Sequence, residues 1–341
     1  MDADDDSIVI VGIGCKFPGA ENKDEFWNVL LNGENHVIEI PPERWKVDHH
    51  YDPDPDTPGK TYVRRAGLIK SYDVWDNRFF GISDVESERM DPQHKYVLEC
   101  VHMAMEDGGL TRKKLAASDT GVYIGAMNDD YKGAWNDDLK ATDNYSLTGS
   151  SSSIISARVS FVYNLHGPSM VIDTACSSSL VAMHVATQAI KSGDCSMAIC
   201  GGVNCILYPD MFIPLSKARM VSPTGQCHAF TANADGYARG EGCGIVILKK
   251  KKQAIADGNK IWAEISTGCN QDGREATPIT APSGDQQEKL LEKVYSGKNL
   301  NAADIQYIEA HGSKNKKKTN KNINQNINAL ICSYSVFNHN N

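Results

Sequence analysis

The sequence predicts an α/β fold in which buried strands alternate with helices. Continuous runs of β-branched and other apolar residues, typical of strands buried on both faces, occur at 7–13 and 120–126. Apolar residues at helical spacing occupy 177–191, and Gly193 ends that periodicity. The 341 residues are 41% hydrophobic and 23% charged, an ordinary globular composition in a chain long enough to bury a core.

The first strand, at 7–13, reads SIVIVGI and leads into a glycine-containing turn. The gap from Gly14 to Gly19 is too long for the GxGxxG pattern of dinucleotide sites, and Pro18 lies inside it. A plain turn is therefore favoured over a nucleotide-binding site.

Helices and one long loop complete the N-terminal part of the prediction. The sequence predicts a helix at 24–31, which Gly33 ends, and a second helix at 92–107, which ends at a Gly-Gly pair. Residues 40–62 are rich in Pro and Asp, which favours a surface loop because proline lacks the donor that a sheet needs. The stretch 145–164 is serine-rich and then apolar, and its run SSSIISARVSFVYN predicts a capped helix.

Charge and hydropathy argue against several function classes. The chain has 35 Lys and Arg and 43 Asp and Glu residues, which gives a net charge of −8. This overall negative charge does not favour binding to nucleic acid. No apolar run approaches the roughly 18–20 residues that span a bilayer. The N-terminus is acidic where a secretory signal is basic. We expect a cytoplasmic protein that binds neither nucleic acid nor membrane.

The ten cysteines do not form a recognisable metal site. None belongs to a CxxC pair, so the sequence predicts no bound metal. In a reducing compartment, most of these cysteines should be small buried hydrophobic residues.

Cys176 is the strongest candidate for chemistry. It lies between a predicted strand, 169–175, and the helix predicted at 177–191, which is the position of a nucleophile elbow. The helix dipole would stabilise a thiolate there, and N–H groups of the first turn could face a developing oxyanion. The neighbours that leave room for a carbonyl group are small: Ala175, Ser177 and Ser178. The alternative interpretation is a buried structural cysteine.

A thiolate nucleophile needs a partner for proton transfer or charge stabilisation, and His311 is the best-placed histidine. It follows a strand-like run at 305–310, IQYIEA, so it would lie at a strand end, where open α/β folds bind ligands. Four other histidines are weaker candidates because they lie within a helix, a loop or a turn: His49, His50, His166 and His184.

Seven runs together resemble one family, the β-ketoacyl synthase (ketosynthase) domain of polyketide synthases and animal-type fatty acid synthases. They occur in the family's order and cover nearly everything from Ser7 to Gly312. The runs are IVGIGCKFPGA (10–20), FFGISDVESERMDPQHKYVLE (79–99), GPSMVIDTACSSSL (167–180), GGVNCIL (201–207), GQCHAFTANADGYARGEG (225–242), NQDGREATPITAPSG (270–284) and YIEAHG (307–312).

The resemblance implies a thiolase-like fold, in which two similar α/β halves stack as αβαβα layers around buried helices. Residues 7–252 would form the N-terminal half with the nucleophile, and 253–312 would begin the second half, which is incomplete in this sequence. It also implies a homodimer that performs decarboxylative Claisen condensation. Substrates would arrive on the phosphopantetheine arm of an acyl carrier protein, with no cofactor bound directly.

The resemblance also assigns roles to three residues. Cys176 would carry the acyl group, and His311 matches the first of the family's two catalytic histidines, which stabilises the enolate. Where the family continues EAHGTGT, this chain reads EAHGSKN, so Ser313 keeps a hydroxyl beside the expected pantetheine arm. No counterpart of the family's lysine, second histidine or Gly/Phe-rich loop follows.

Asn and Lys dominate the composition after Gly312. Residues 313–341 contain no Gly or Pro and no periodic apolar face, so we expect 314–341 not to pack on the rest. Two origins are open: a disordered basic tail, or an unspliced intron or frameshift, which AT-rich codons would resemble and which we favour. In the second case the natural transcript would continue past Gly312 with a Thr-Gly-Thr-like run and a second histidine.

Three functions remain open at this point. The first is a condensing enzyme, a 3-oxoacyl synthase. The second is a catalytically impaired fragment that only dimerises or binds a carrier protein. The third is a thioester hydrolase or acyltransferase that uses Cys176 without condensation.

Overall fold

A computed structural model describes residues 6–136, 140, 142–273, 282–296, 305–309 and 311. The tail predicted at 313–341, Ser313 included, lies outside the described residues. The strands are β1 (Ile8–Lys16), β2 (Val37–Glu39), β3 (Arg65–Gly67), β4 (Gly121–Gly125), β5 (Ser169–Ile172), β6 (Met197–Asn204), β7 (Gly242–Lys250) and β8 (Ala263–Ile265). The helices are α1 (Lys23–Asn32), α2 (Asp84–Glu88), α3 (Pro92–Asp107), α4 (Arg112–Leu115), α5 (Asp130–Asn136), α6 (Ser146–Ser150), α7 (Ser152–Tyr163), α8 (Ser178–Ser192), α9 (Phe212–Lys217), α10 (Lys251–Ala256) and α11 (Gly284–Tyr295), with a 3₁₀ turn at Val47–His49.

One mixed sheet organises the described residues. Its strand order is β5-β4-β6-β7-β1-β8, while β2 and β3 form a separate two-stranded ribbon. β4 pairs in parallel with β5 and β6, and the pairings of β7 with β6 and of β1 with β7 and β8 are antiparallel. The prediction of an α/β fold is confirmed.

Helices cover both faces of this sheet. Residues of β1 alternate between the faces, so Val9 and Val11 join a core built from α3 and α7, whereas Ile8 and Ile10 join a core built from α8. Because both faces are covered, β1 and β4 are buried almost throughout. This explains why their sequences are continuous apolar runs without polar alternation.

The predicted helix boundaries are largely confirmed. The helix at 92–107 has the predicted bounds, and Gly33 (φ 62°) and Gly193 (φ 87°) end α1 and α8 in the left-handed conformation that glycine adopts without strain. The helix predicted from the run SSSIISARVSFVYN is confirmed as α7, with Ser151 at the N-cap position. Its cap is not formed as predicted, because the Ser151 side chain makes no capping hydrogen bond, and the short helix α6 precedes it.

The part assigned to a second half contributes less regular structure. β8 adds to the N-terminal sheet by pairing with β1, and α11 follows it. The strand predicted at 305–310 is not formed over its described residues, 305–309, which have no regular structure. Tyr307 and Ile308 there are 68% and 52% exposed. The apolar pattern alone does not make a strand, because a strand also needs a paired neighbour and a surface to cover.

Candidate active site

Cys176 lies in the turn between β5 and α8, as the sequence predicted. β5 ends at Ile172, α8 begins at Ser178, and the intervening residues 173–176 are exposed. Ala175, just before the cysteine, has a left-handed backbone (φ 57°), which costs a residue with a side chain about 1–2 kcal/mol. The turn is therefore a sharp elbow that presents the Cys176 side chain to solvent, and the alternative of a buried structural cysteine is excluded.

Hydroxyl and carboxylate groups hold this elbow in shape. The Ser178 hydroxyl accepts a hydrogen bond from the Thr174 backbone N–H (2.9 Å) and donates to the Ala175 carbonyl (2.6 Å). The Asp173 carboxylate accepts from the Ala175 N–H (2.9 Å), and the Ser177 hydroxyl donates to the Thr174 carbonyl (2.9 Å). The serines beside Cys176 therefore do more than leave room, since their hydroxyls fix the strained turn.

Two glycines let the N-terminus of α8 approach the sheet. A Cβ atom on Gly125, at the end of β4, would lie 2.4 Å from the Ser179 backbone nitrogen. A Cβ atom on Gly202, in β6, would lie 2.7 Å from the Ser179 Cβ. Because neither glycine has a side chain, the first turn of α8 lies directly against the strands that flank it.

Several loops meet Cys176 at one edge of the sheet. β4, β5 and β6 are parallel, so the segments that follow them leave from the same edge. Asn204 of β6 lies opposite Gly242 of β7, which places the residues before β7 at this edge too. We call residues 237–241, directly before β7, the wall segment. Burial is the main cause that raises the pKa of Tyr237 in this segment, and the charge of Cys176 adds to it. The strand register therefore places the wall segment at the same edge of the sheet as the turn that carries Cys176.

A polar network supports this edge beneath the loops. The Asn128 amide donates to the Asn204 amide oxygen (2.6 Å), and the Asn204 amide donates to the Gly240 carbonyl (2.6 Å). The Gln93 amide donates to the Asn128 carbonyl (2.9 Å), which ties in the start of α3. Sequence analysis did not single out these amides, although Asn204 belongs to the run GGVNCIL.

The described thiols fall into two groups. Cys176, Cys227 and Cys269 are exposed. The others are buried as expected: Cys15, Cys100, Cys195, Cys200, Cys205 and Cys243. Burial raises the pKa of Cys15 to about 12, so this thiol stays protonated and unreactive. Of the exposed three, only Cys176 lies at the N-terminus of a long helix.

The predicted partner of Cys176 is not brought into contact with it. His311 is exposed, and no hydrogen bond or ion pair of the described residues joins it to Cys176. Ser313 lies outside the described residues. His184 is half-buried in α8, where its Nδ1 atom is 3.0 Å from the Thr267 hydroxyl, and burial lowers its pKa.

The described ranges contain no group of three or more His, Cys, Asp or Glu side chains placed to hold a metal ion. Within the same ranges, none of the helices has the length and apolar character needed to cross a membrane.

Comparison with known families covers most of the chain. Residues 5–254 match the family described as beta-ketoacyl synthase, N-terminal domain, and residues 263–317 match the corresponding C-terminal domain. The second match extends past Gly312, where the resembling runs end.

Curated relatives are large polyketide synthases. The chain is 40% identical to a partially reducing polyketide synthase of Talaromyces stipitatus over 91% of its length, which is 12% of that protein. It is 37% identical to a polyketide synthase of Streptomyces halstedii, again over 91% of its length, which is 6% of that protein. The chain therefore spans only a small part of these relatives.

Solved structures agree on the fold. An oxazolomycin ketosynthase domain of Streptomyces albus superposes with a TM-score of 0.86 at 38% identity, over 90% of this chain and 55% of that one. The ketosynthase from module 6 of the bacillaene synthase of Bacillus subtilis has a TM-score of 0.81 at 38% identity, over 90% of this chain and 51% of that one. The chain thus has a thiolase-like ketosynthase fold, and it belongs to the β-ketoacyl synthase family of condensing acyltransferases.

Proposed function

We propose that this chain is the nucleophile-bearing part of a ketosynthase, in which Cys176 accepts an acyl group from a thioester. The observation that carries the proposal is the strained elbow that presents the exposed Cys176 at the N-terminus of α8. A thiolate is stabilised at a helix N-terminus, and N–H groups there can stabilise an oxyanion. The family match supports the same assignment.

The proposed chemistry has two stages. The Cys176 thiolate attacks the thioester carbonyl, forms an acyl-cysteine and releases the carrier's pantetheine thiolate, which takes a proton from water. A malonyl-type extender on a carrier protein then loses carbon dioxide, and its α-carbon attacks the acyl carbonyl. The Cys176 thiolate leaves, and the product is a 3-oxoacyl thioester. His311 would stabilise the enolate, and Ser313 would lie beside the pantetheine arm.

We further propose a homodimer that works with acyl carrier protein in the cytoplasm, with phosphopantetheine supplied by the carrier. Support for the dimer comes from β5, one of the two edge strands of the sheet that the described residues form. Met170 on this strand is 39% exposed although it is apolar. A groove of about 530 Å³ runs beside it, lined by Met170, Val185 and Ala189 among others. An open apolar strand edge favours pairing with a second chain.

The exposure of His311 favours a second candidate, a catalytically impaired fragment that only dimerises or binds a carrier protein. When residues act as a unit in catalysis, most of the rate is lost if one of them is displaced. The first candidate forms an acyl-cysteine and a new carbon–carbon bond, whereas the fragment forms neither.

A condensation assay separates these functions. The chain is mixed with an acyl thioester and malonyl-loaded carrier protein, and the products are followed by mass spectrometry. A ketosynthase yields the 3-oxoacyl thioester. Cys176→Ala should abolish this product, whereas the matched control Cys269→Ala, which removes another exposed thiol, should not. Acylation without a 3-oxoacyl product points to an acyltransferase, and free acid points to a hydrolase. No acylation refutes the proposal and leaves the fragment that only dimerises or binds a carrier protein.

A further inference from the structure

We infer that Arg44 is a positioning residue for acyl transfer to Cys176. Through a buried ion pair with Glu241 it fixes the wall segment, residues 237–241, beside the nucleophile. The inference rests on the proposed function of Cys176, and it concerns a residue in the Pro- and Asp-rich loop that sequence analysis treated as surface.

The ion pair is bidentate and fully enclosed. Arg44 Nη1 lies 2.7 Å from Glu241 Oε1, and Arg44 Nη2 lies 2.9 Å from Glu241 Oε2. Their side chains are 4% and 0% exposed. Burying two charges costs free energy unless their remaining donors and acceptors also form hydrogen bonds. The other hydrogen bonds of Arg44 and Glu241 therefore decide how firmly this pair is held.

Those remaining groups bind the backbone of two distant residues. Glu241 accepts hydrogen bonds from the N–H groups of Ile69 (2.8 Å) and Ile206 (2.9 Å). Arg44 donates to the carbonyls of the same two residues, at 2.8 Å for Ile69 and 3.1 Å for Ile206. The Tyr72 ring covers the guanidinium, 3.8 Å from ring centre to Cζ. The pair therefore joins four chain segments at one point.

Two of these segments belong to the edge where Cys176 lies. Ile206 follows β6, whose carboxyl end shares that edge with the end of β5. Glu241 is the last residue of the wall segment, directly before β7. A shift of Glu241 would move the wall segment, which lies at the edge of the sheet from which the turn with Cys176 leaves.

Backbone hydrogen bonds make the wall segment stiff. Gly67 donates to the Arg239 carbonyl (3.0 Å) and accepts from the Glu241 N–H (2.8 Å). Tyr237 donates to the Met220 carbonyl (3.1 Å). A segment held in this way moves as one body, so the Arg44–Glu241 pair sets its position relative to Cys176. A buried ion pair often stabilises a folded protein no more than two apolar side chains of equal volume would. We therefore assign the Arg44–Glu241 pair a role in the geometry of the site and not in the stability of the fold.

The test is Arg44→Lys, which keeps the positive charge but cannot bind both Glu241 oxygens and both carbonyls. Cys176 acylation by butyryl-N-acetylcysteamine is measured against thioester concentration at a temperature where circular dichroism shows both proteins folded. We expect the half-saturating concentration to rise about tenfold, because small displacements in a binding site are costly. Alkylation of Cys176 by iodoacetamide, which needs no acyl site, should change by less than about twofold.

Two further variants make the outcome decisive. Glu241→Gln breaks the same pair from the other side and should raise the half-saturating concentration too, even if Arg44→Lys does not fold. Arg64→Lys is the matched control, because Arg64 makes exposed ion pairs with Glu39 (2.9 Å) and Asp48 (2.7 Å) and should change nothing.

The failures are distinguishable. A parent chain that acylates Cys176, together with pair variants of unchanged half-saturation, overturns the positioning role alone. Equal losses of acylation and alkylation in those variants also overturn it, because they indicate a merely structural pair. A parent chain that never acylates Cys176 overturns the proposed function and the inference together.

Discussion

Apolar runs behave differently in two regions of the molecule. One is the N-terminal region, up to β7 and α10, and the other is the C-terminal part from β8 onward. The N-terminal region pairs its apolar runs into a sheet and buries them under helices on both faces. In the C-terminal part, the apolar run at 305–309 forms no strand, and two of its large side chains are exposed. Similar local patterns therefore give different outcomes.

The difference teaches that strand propensity is realised through pairing. In β4, all five residues are buried because β5 and β6 pair with it on either side and helices cover both faces of the sheet. Residues 305–309 have as strong an apolar pattern but no such neighbours among the described residues. It follows that paired and buried elements of the N-terminal region hold Cys176 in place, whereas the described residues just before His311 have no such support.

The largest expected contrast is in acid stability. His94, at the start of α3, is buried, and burial lowers its pKa to about 3. An unfolded chain would protonate this histidine below its usual pKa near 6.5, so the folded state loses stability as pH falls from 6.5 towards 3. His94→Gln should remove this loss. The difference in unfolding free energy between the two proteins should change by about 1.4 kcal/mol per pH unit, or about 4 kcal/mol over three units.

The control for this experiment is Ile308→Gln, which replaces an exposed side chain of the C-terminal part that has no titratable group and should leave the slope unchanged. Asp91 has the opposite sign, because burial raises its pKa to about 6 and its contribution falls as pH rises from about 4 to 6. Denaturant unfolding at several pH values measures the slope for the parent, the His94→Gln variant and the control. A His94→Gln protein with the parent's slope would show that His94 is not buried as described.

A smaller contrast is expected for two glycines. Gly125→Ala should destabilise the protein by about 3 kcal/mol, because the new Cβ meets backbone atoms of Ser178 and Ser179 that cannot move freely. Gly268→Ala should cost about 1 kcal/mol or less, because its Cβ meets only the side-chain ends of Leu290 and Val294. Urea unfolding of both variants gives the comparison, and equal costs would contradict the idea that only the N-terminal region is tightly packed.

Sequence reasoning recovered the buried strands β1 and β4 because both faces of the sheet are covered, which leaves continuous apolar runs. It recovered α1, α3 and α8 from helical spacing and terminal glycines, but not the short helices or the ribbon of β2 and β3. It located Cys176 from the change of pattern at the elbow. It missed the Arg44–Glu241 pair, because such a pair joins residues far apart in the sequence, and a proline-rich loop gives no sign that its arginine is buried. It predicted a strand before His311 because pattern alone carries no information on pairing.

The smallest expected effect is at Tyr307. Its side chain is 68% exposed, so Tyr307→Ala should change the unfolding free energy by less than about 0.5 kcal/mol. Thermal or urea unfolding at neutral pH measures the change. A loss of more than about 2 kcal/mol would show that this residue is buried and that the C-terminal part has a core of its own.

The central claim is that the elbow between β5 and α8 makes Cys176 the acyl acceptor. The most direct test treats the chain with butyryl-N-acetylcysteamine and maps the modified cysteine by peptide mass spectrometry. We predict butyrylation at Cys176 and none in Cys176→Ala, although Cys227 and Cys269 are also exposed to solvent. Butyrylation of Cys227 or Cys269 at a rate similar to that of Cys176 would contradict the claim, because exposure alone would then explain the reaction.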